Sequence, residues 1–408
     1  MKKRTRGQVG GGAAERRWLA FAAKLLACPT AVALEHSPAD FVRAFARARP
    51  ALRLTEDRYG NLVVKYPGRG TRKNPPLVLM GHLDHPGFLV ERVEGGVADL
   101  AFRGGVYRKH AAPGLRVQFF RPGRARAIGS GRLTRVSSSG ARRAGLLGSG
   151  TARVSRGRAL AGGFAMWDLP AYALRGGRIH SRCLDDLLSC AATLAALDEL
   201  CRRQPRGAHV WGLFTRAEEV GFFGALAAIK AGTVPRASRI LSLETSRALP
   251  HAPQRGGVIL RVGDARSLFD PALMGVVHDV AKELSSQDSG FRFQRRLMDG
   301  GSCEATPFCA AGYRAGGLAL PLGNYHNMKG LDGGPKGIGA ETVALTDYLS
   351  EVKLLVRLGE LSGELPAREK AQASWLEPLT REAHALLAEA PLVARVAPRR
   401  RRARRSRR

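Results

Sequence analysis

An α/β fold carrying a small β-rich insertion is what this 408-residue sequence predicts. Short, wholly apolar runs alternate with amphipathic stretches of helical period, the pattern of parallel strands joined by helices. From about residue 95 to 172 that alternation stops, and glycines and arginines separate short apolar runs, as in a small all-β unit. Acidic and histidine residues recur just after predicted strands, where open parallel sheets gather their sites.

Residues 14–27 read as a helix with Trp18, Leu19, Ala22, Leu25 and Leu26 on one side, ended by Pro29. Lys2, Lys3, Arg4 and the pair Arg16-Arg17 around the run WLAFAAKLLAC resemble an export or twin-arginine signal. Lys24 interrupts that run and no small-x-small site follows cleanly. An amphipathic helix in a cytoplasmic chain is therefore the expectation, with export the alternative. Ser37 can cap a second helix near 38–48, with Pro38 at its first position. Strands fit Ala51–Thr55 and Asn61–Tyr66 around Tyr59-Gly60. Pro76–Met80 is apolar throughout, as a buried parallel strand is, and Gly81-His82 ends it.

Inside the insertion the apolar runs are Leu115–Phe120, Ala127–Ile128 and Arg158–Leu160. The α/β pattern resumes at Ser181. Leu184–Leu200 is a helix whose stripe is Leu187, Leu188, Ala191, Leu194 and Ala195. Strand Val210–Phe214, helix Phe222–Ala231 and strands Arg239–Leu243 and Val258–Val262 follow. Then come helix Pro271–Leu284, a short helical piece at Glu304–Ala311, strand Leu318–Leu320 and helix Thr342–Leu358. The expected division is a discontinuous α/β domain over 1–94 and 173–360, the insert over 95–172, a helical extension over 361–397 and a disordered Arg-rich tail over 398–408.

Apolar content of 44% and 49 glycines suit a folded α/β chain and exclude a disordered one. With no run of about 18 apolar residues, neither a transmembrane helix nor a membrane partner is expected. The net charge is +32; taking away the eight arginines of 398–408 leaves +24, so the excess runs along the whole chain. Genomic composition bias is the first account of so much arginine, and nucleic acid is expected to bind the basic tail only non-specifically. Six cysteines, none in a CxxC pair, offer neither a zinc ribbon nor a disulfide framework, so a reducing compartment is expected.

Six residues carry the chemistry: His82 in GHLD, Asp185 in RCLDD, Glu218-Glu219 in TRAEEVG, Glu244 in SLET and His326 in GNYHNM. Imidazole nitrogen and carboxylate oxygen are the donors a zinc-like ion takes. Two such ions about 3.5–4 Å apart can hold a nucleophile and the reacting oxygen together. Asp185, at the start of a long helix, suits the bridge; His82 and Glu244 complete one ion, Glu219 and His326 the other. Glu218 suits a general base, and Asp84 can orient the His82 imidazole. Singly, each residue has a plainer role as a loop polar group, a helix cap or a dipole partner. Their joint order and placement favour the metal. His85, His110, His180, His251 and His278 read as loop residues. Cys303 reads as a small buried residue. Gly300-Gly301-Ser302 either turns N–H groups toward the site or forms an ordinary turn.

From about residue 14 to 358 the chain resembles the dinuclear zinc aminopeptidases that include glutamyl and lysyl aminopeptidases and the tetrahedral TET-type peptidases. The resemblance lies in GHLDHPGFLVE, IHSRCLDDLLSC, TRAEEVGFFGA, LSLET and GGSCEATPFCAAGYRAGGLALPLGNYHNM. It also lies in the β-rich insertion between His82 and Asp185. It implies a phosphorylase/hydrolase-like mixed sheet flanked by helices, with a PDZ-like or barrel-like insert. It implies removal of N-terminal residues from peptides by a homo-oligomer using two divalent ions, Zn2+ first and Co2+ or Mn2+ next. His82, Asp185, Glu219, Glu244 and His326 then become ligands and Glu218 the base. His85 stands where the family usually has an acidic residue, and Ser302-Cys303-Glu304 replaces a GGTDA-like segment. Two other functions fit the residues: an N-acyl amino acid deacylase on the same site, and a non-enzymatic basic protein binding nucleic acid or an acidic partner.

Overall fold

The computed structural model describes residues 12–68 and 74–389. Helices α1 (Gly12–Leu26) and α2 (His36–Arg47) lead into strands β1 (Arg53–Glu56), β2 (Leu62–Pro67) and β3 (Leu77–His82). Six strands follow: β4 (Gly87–Glu94), β5 (Val97–Arg103), β6 (Arg116–Phe120), β7 (Gly129–Ser137), β8 (Ser149–Gly157) and β9 (Phe164–Trp167). The pair β10 (Ala173–Arg175) and β11 (Arg178–Ser181) precedes α3 (Leu187–Arg203), β12 (His209–Thr215) and α4 (Phe223–Ala231). Next come β13 (Arg239–Arg247), β14 (Val258–Asp264), α5 (Pro271–Gln287), β15 (Phe293–Met298), α6 (Ala305–Ala310) and β16 (Arg314–Leu322). Short strands β17 (Met328–Lys329), β18 (Gly337–Ile338) and β19 (Glu341–Ala344) lead to α7 (Leu345–Glu360), α8 (Leu365–Ala371) and α9 (Leu376–Glu389).

Eight strands form one mixed sheet in the order β1-β2-β12-β3-β13-β16-β14-β15. Its middle four, β12, β3, β13 and β16, run parallel. Strands β3, β13 and β16 are buried along most of their length, because α3, α5, α6 and α7 pack against them. The C-terminal ends of the four therefore open on one crevice. The α/β class with helices around a mixed sheet is the class the sequence predicts.

Three expectations shift. The six strands β4–β9 close into a barrel, so the inserted unit begins at Gly87 and ends at Trp167. The expected 95–172 misses its first strand because Gly87–Glu94 continues the apolar character of β3 after only four intervening residues. Yet β4 pairs with β5 and β9, not with the large sheet. Strand β16 is nine residues long, not three. Gly316 and Gly317, which weaken its strand pattern, sit where a Cβ would strike Met274 and Phe269. Residues 342–344 belong to β19, paired with β11, and the helix starts at Leu345. Strand β15 (FQRRLM) is absent from the sequence reading because its three exposed central residues hide the alternation.

The extension after residue 360 is partly fastened. Glu369 of α8 is buried and receives Arg239 Nε and Nη2 at 2.5 and 2.6 Å, and Arg314 Nη1 at 2.5 Å. Two sheet strands are thereby tied to that helix. Lys2, Lys3, Arg4 and the tail 398–408 lie outside the described residues.

Candidate metal centre

His82 closes β3, and its ring is 1% exposed. Its Nδ1 donates to the Asp84 carbonyl at 3.2 Å. That fixes the tautomer in which Nε2 carries the free lone pair. Nε2 then faces Asp185 Oδ1 at 3.4 Å and Glu218 Oε2 at 3.8 Å. Asp185 leaves the loop before α3, and its other oxygen lies 3.4 Å from His326 Nε2. One carboxylate thus spans two imidazoles. Glu219 Oε2 is 3.3 Å from the same His326 nitrogen. Donor atoms of His82, Asp185 and Glu219 all lie within 4.8 Å of one another.

Glu218 and Glu219 begin a 3-10 turn after β12, and Asp84 clasps it. Its Oδ1 accepts the Glu218 N–H at 2.9 Å and its Oδ2 the Glu219 N–H at 3.2 Å. The expected imidazole contact from the Asp84 carboxylate is longer, 3.6 Å. Its carbonyl orients the ring instead, since two amide donors already occupy the carboxylate. Glu244 was expected just beyond its strand but lies within β13, because pairing with β16 continues to Arg247. It stands at the margin of the cluster: His82, Asp185 and Arg261 all act on its charge, but no ion-pair contact to His82 forms.

His326 sits on a 3-10 turn after β16 with left-handed backbone at Asn324, His326 and Asn327 (φ 54°, 52° and 63°). Such conformations at non-glycine residues hold only when the surroundings enforce them. The barrel does so here. His326 Nδ1 donates to the Gly105 carbonyl at 3.0 Å, and Met328 is buried in the barrel's own apolar cluster beside Tyr325. Tyr325 stacks on the imidazole at 3.8 Å.

Electrostatics press the same way. Burial pushes Glu218 and Glu219 well above the usual carboxylate range, and neighbouring carboxylates add to it, against the opposing charge of His82. Burial also raises Glu244, to about 8. Asp185 is the exception: burial opposes its charge, but the imidazoles of His326 and His82 facing its two oxygens outweigh that and hold it well below the usual range. Asp185 Oδ1, Glu219 Oε1 and Glu244 Oε1 are buried with no hydrogen-bond partner. Buried carboxylate oxygens without donors are costly. Oxygen and imidazole donors converging in one pocket are the set a divalent cation satisfies. The residues present therefore fit the ion that the motifs imply.

Several site residues escaped the sequence reading. His85 lies in the loop between β3 and β4 as expected, but it is buried there. Its Nδ1 donates to the Asp185 carbonyl at 2.6 Å, and burial pushes it down to about 4, so the ring is neutral. Glu341 accepts the N–H groups of Leu184 and Asp185 at 2.6 and 3.2 Å and so holds the Asp185 backbone. Glu304 and Asp186 are fully buried, with all four carboxylate oxygens unpartnered. The HLDH spacing was the available signal for His85; Glu341 had none, lying far off in a short strand. His110 is also buried, His180 lies in β11 and His278 in α5. Cys303 is buried, and burial pushes its thiol up to about 12. Its N–H donates to Asp264 Oδ2 at 3.0 Å.

The sequence profile of the M42 glutamyl aminopeptidase family matches residues 157–331. That span holds Asp185, Glu218, Glu219, Glu244 and His326, and the likeness read from the motifs is met there. No curated protein sequence matches the chain. Among solved structures, an aminopeptidase from the archaeon Desulfurococcus kamchatkensis superposes with a TM-score of 0.67 at 19% identity, over 84% of this chain and 94% of its own. A TET aminopeptidase from a marine-sediment Thaumarchaeota archaeon gives 0.68 at 18%, over 85% and 99%. A TET1 peptidase of Pyrococcus horikoshii, described as assembling into a tetrahedron or a large octahedral shell, gives 0.64 at 18%, over 84% and 99%.

Proposed function

We propose that this chain, related to the M42 glutamyl aminopeptidases, is a metal-dependent aminopeptidase that removes N-terminal residues from peptides with two divalent ions, zinc in first place. The observation that carries this reading is Asp185, one oxygen toward His82 and the other toward His326, with Glu218 and Glu219 alongside. His82, Glu244 and Asp185 would hold one ion, and His326, Glu219 and Asp185 the other. Ions held there supply Lewis-acid polarisation of the scissile carbonyl and an acidified water.

Glu218 does the proton work. Its Oε2 borders the cluster beside His82, and burial raises its proton affinity toward the working range of a general base. It takes the proton of the attacking water and delivers it to the departing amine. Asp84 keeps it in place through the Glu218 N–H. Assembly of the TET-type relatives into closed shells supports a homo-oligomer here. Six unpaired cysteines favour a reducing, cytoplasmic setting. Neither the deacylase nor the nucleic-acid-binding reading is favoured by the family match.

The test is Glu218→Gln with a panel of aminoacyl anilides and N-acyl amino acids. Turnover of free-amine substrates should fall about 10²–10⁴-fold with bound metal unchanged. Retained turnover, or activity only on N-acylated substrates, contradicts the reading.

A further inference from the structure

Helix α9 is an element that the rest of the described fold leaves uncovered: none of its residues is buried. At 3.6 residues per turn, Trp375, Leu376, Leu379, Ala383, Leu386 and Leu387 fall within one arc of roughly 120°, and every charged residue of the helix lies outside it. The five large side chains are 66%, 43%, 50%, 63% and 65% exposed in that order. Apolar residues scattered singly on a surface need no explanation, but a contiguous stripe marks an interaction site. The sequence that follows supplies the second half of the pattern. After Glu389 no acidic residue occurs, and residues 398–408 hold eight arginines.

We propose that α9 and the arginine tail attach this chain to an anionic lipid surface. The stripe lies in the boundary between headgroups and acyl chains, and the arginines engage the acidic headgroups. An in-plane amphipathic helix of modest apolar area binds weakly alone; joined to a polybasic segment it binds stably, because each cation near an anionic surface adds its own attraction. In this sequence the eight arginines begin at Arg399, soon after the stripe ends at Leu387. A second copy of the chain is a poorer occupant: six residues fall well short of the roughly 20–30 per side that a stable interface uses. Nucleic acid would engage the arginines and leave the stripe in water. No described helix is long and apolar enough to cross a membrane. The expectation of no membrane partner rested on that missing span, which does not bear on surface attachment.

The experiment uses the full chain and vesicles of phosphatidylcholine, with and without phosphatidylglycerol. Co-sedimentation should occur with the anionic vesicles and weaken with salt. Trp375, 66% exposed where Trp18 and Trp167 are buried and Trp211 is half-buried, should shift its fluorescence to the blue. Leu379→Glu with Leu386→Glu should weaken vesicle binding by at least about tenfold. Melting temperature and metal content should not change, because α9 supports neither the core nor the site. The proposal is overturned by absence of co-sedimentation, or by equal binding of the double variant, which leaves charge alone. It is equally overturned if the double variant instead lowers the particle mass in light scattering, which assigns the stripe to a second copy. An oligonucleotide bound in place of the vesicles overturns it as well.

Discussion

Asp185 shares its two oxygens between His82 and His326, 3.4 Å from each, so its loss touches both imidazoles at once. Asp84 is the next most informative position. Its carboxylate accepts the N–H groups of both Glu218 and Glu219, so Asp84→Ala frees that turn and leaves two amides unpaired. Metal affinity should fall about 10–100-fold, measured by competition with a chelator of known strength, while Asp84→Asn retains part of it. Equal loss in the two variants would assign the effect to charge and not to the clasp. These residues were legible for different reasons. HxD, DD, EE, E and H announce donors by type and order. Glu304 and Glu341 gave no such signal, because an acidic residue in a loop looks solvated until the fold buries it.

The barrel and the sheet meet at His326. The imidazole is oriented by Gly105 of the barrel, and the turn that carries it is anchored by Met328 within the barrel's apolar cluster. Gly105 has no left-handed φ, so alanine suits its backbone; the obstacle is the His326 ring, whose Nδ1 and Cε1 would lie 3.2 and 3.3 Å from the new Cβ. Gly105→Ala should therefore weaken metal binding about 10–100-fold while the metal-free melting temperature stays near wild type. Calorimetric titration beside a thermal melt checks this, and unchanged affinity would uncouple the barrel from the site. Met328→Ala should cost about 2–5 kcal/mol of stability as well. The existence of an all-β insertion was legible in the loss of helical period. Its grip on His326 was not, because that contact joins residues 221 positions apart. The central strands were legible as apolar runs, whereas β16 was foreshortened by two glycines that leave room for Met274 of α5 and for Phe269 just before it.

Across the molecule, a chain of net charge +32 buries a pocket of carboxylates. Burial raises Glu244 to about 8, Glu304 to about 7 and, on α7, Glu351 to about 8, from the ordinary glutamate value of 4.5. The folded state therefore holds protons that the unfolded chain releases. That contribution to stability is complete below about pH 4.5 and is lost as pH rises through about 7–8. The metal-free chain should melt at progressively lower temperature across that window. Bound divalent ions replace those protons, so the metal-induced rise in melting temperature should grow with pH over the same interval. A metal-induced rise that is flat or shrinks with pH would place the ions elsewhere.

Metal content of the purified full chain, measured by elemental analysis beside Asp185→Ala, tests the central claim most directly. The shared-carboxylate arrangement predicts two divalent ions per wild-type chain and loss of both on removing that one side chain. A wild-type chain that takes up no divalent ion, or an Asp185→Ala chain that keeps the pair, contradicts it.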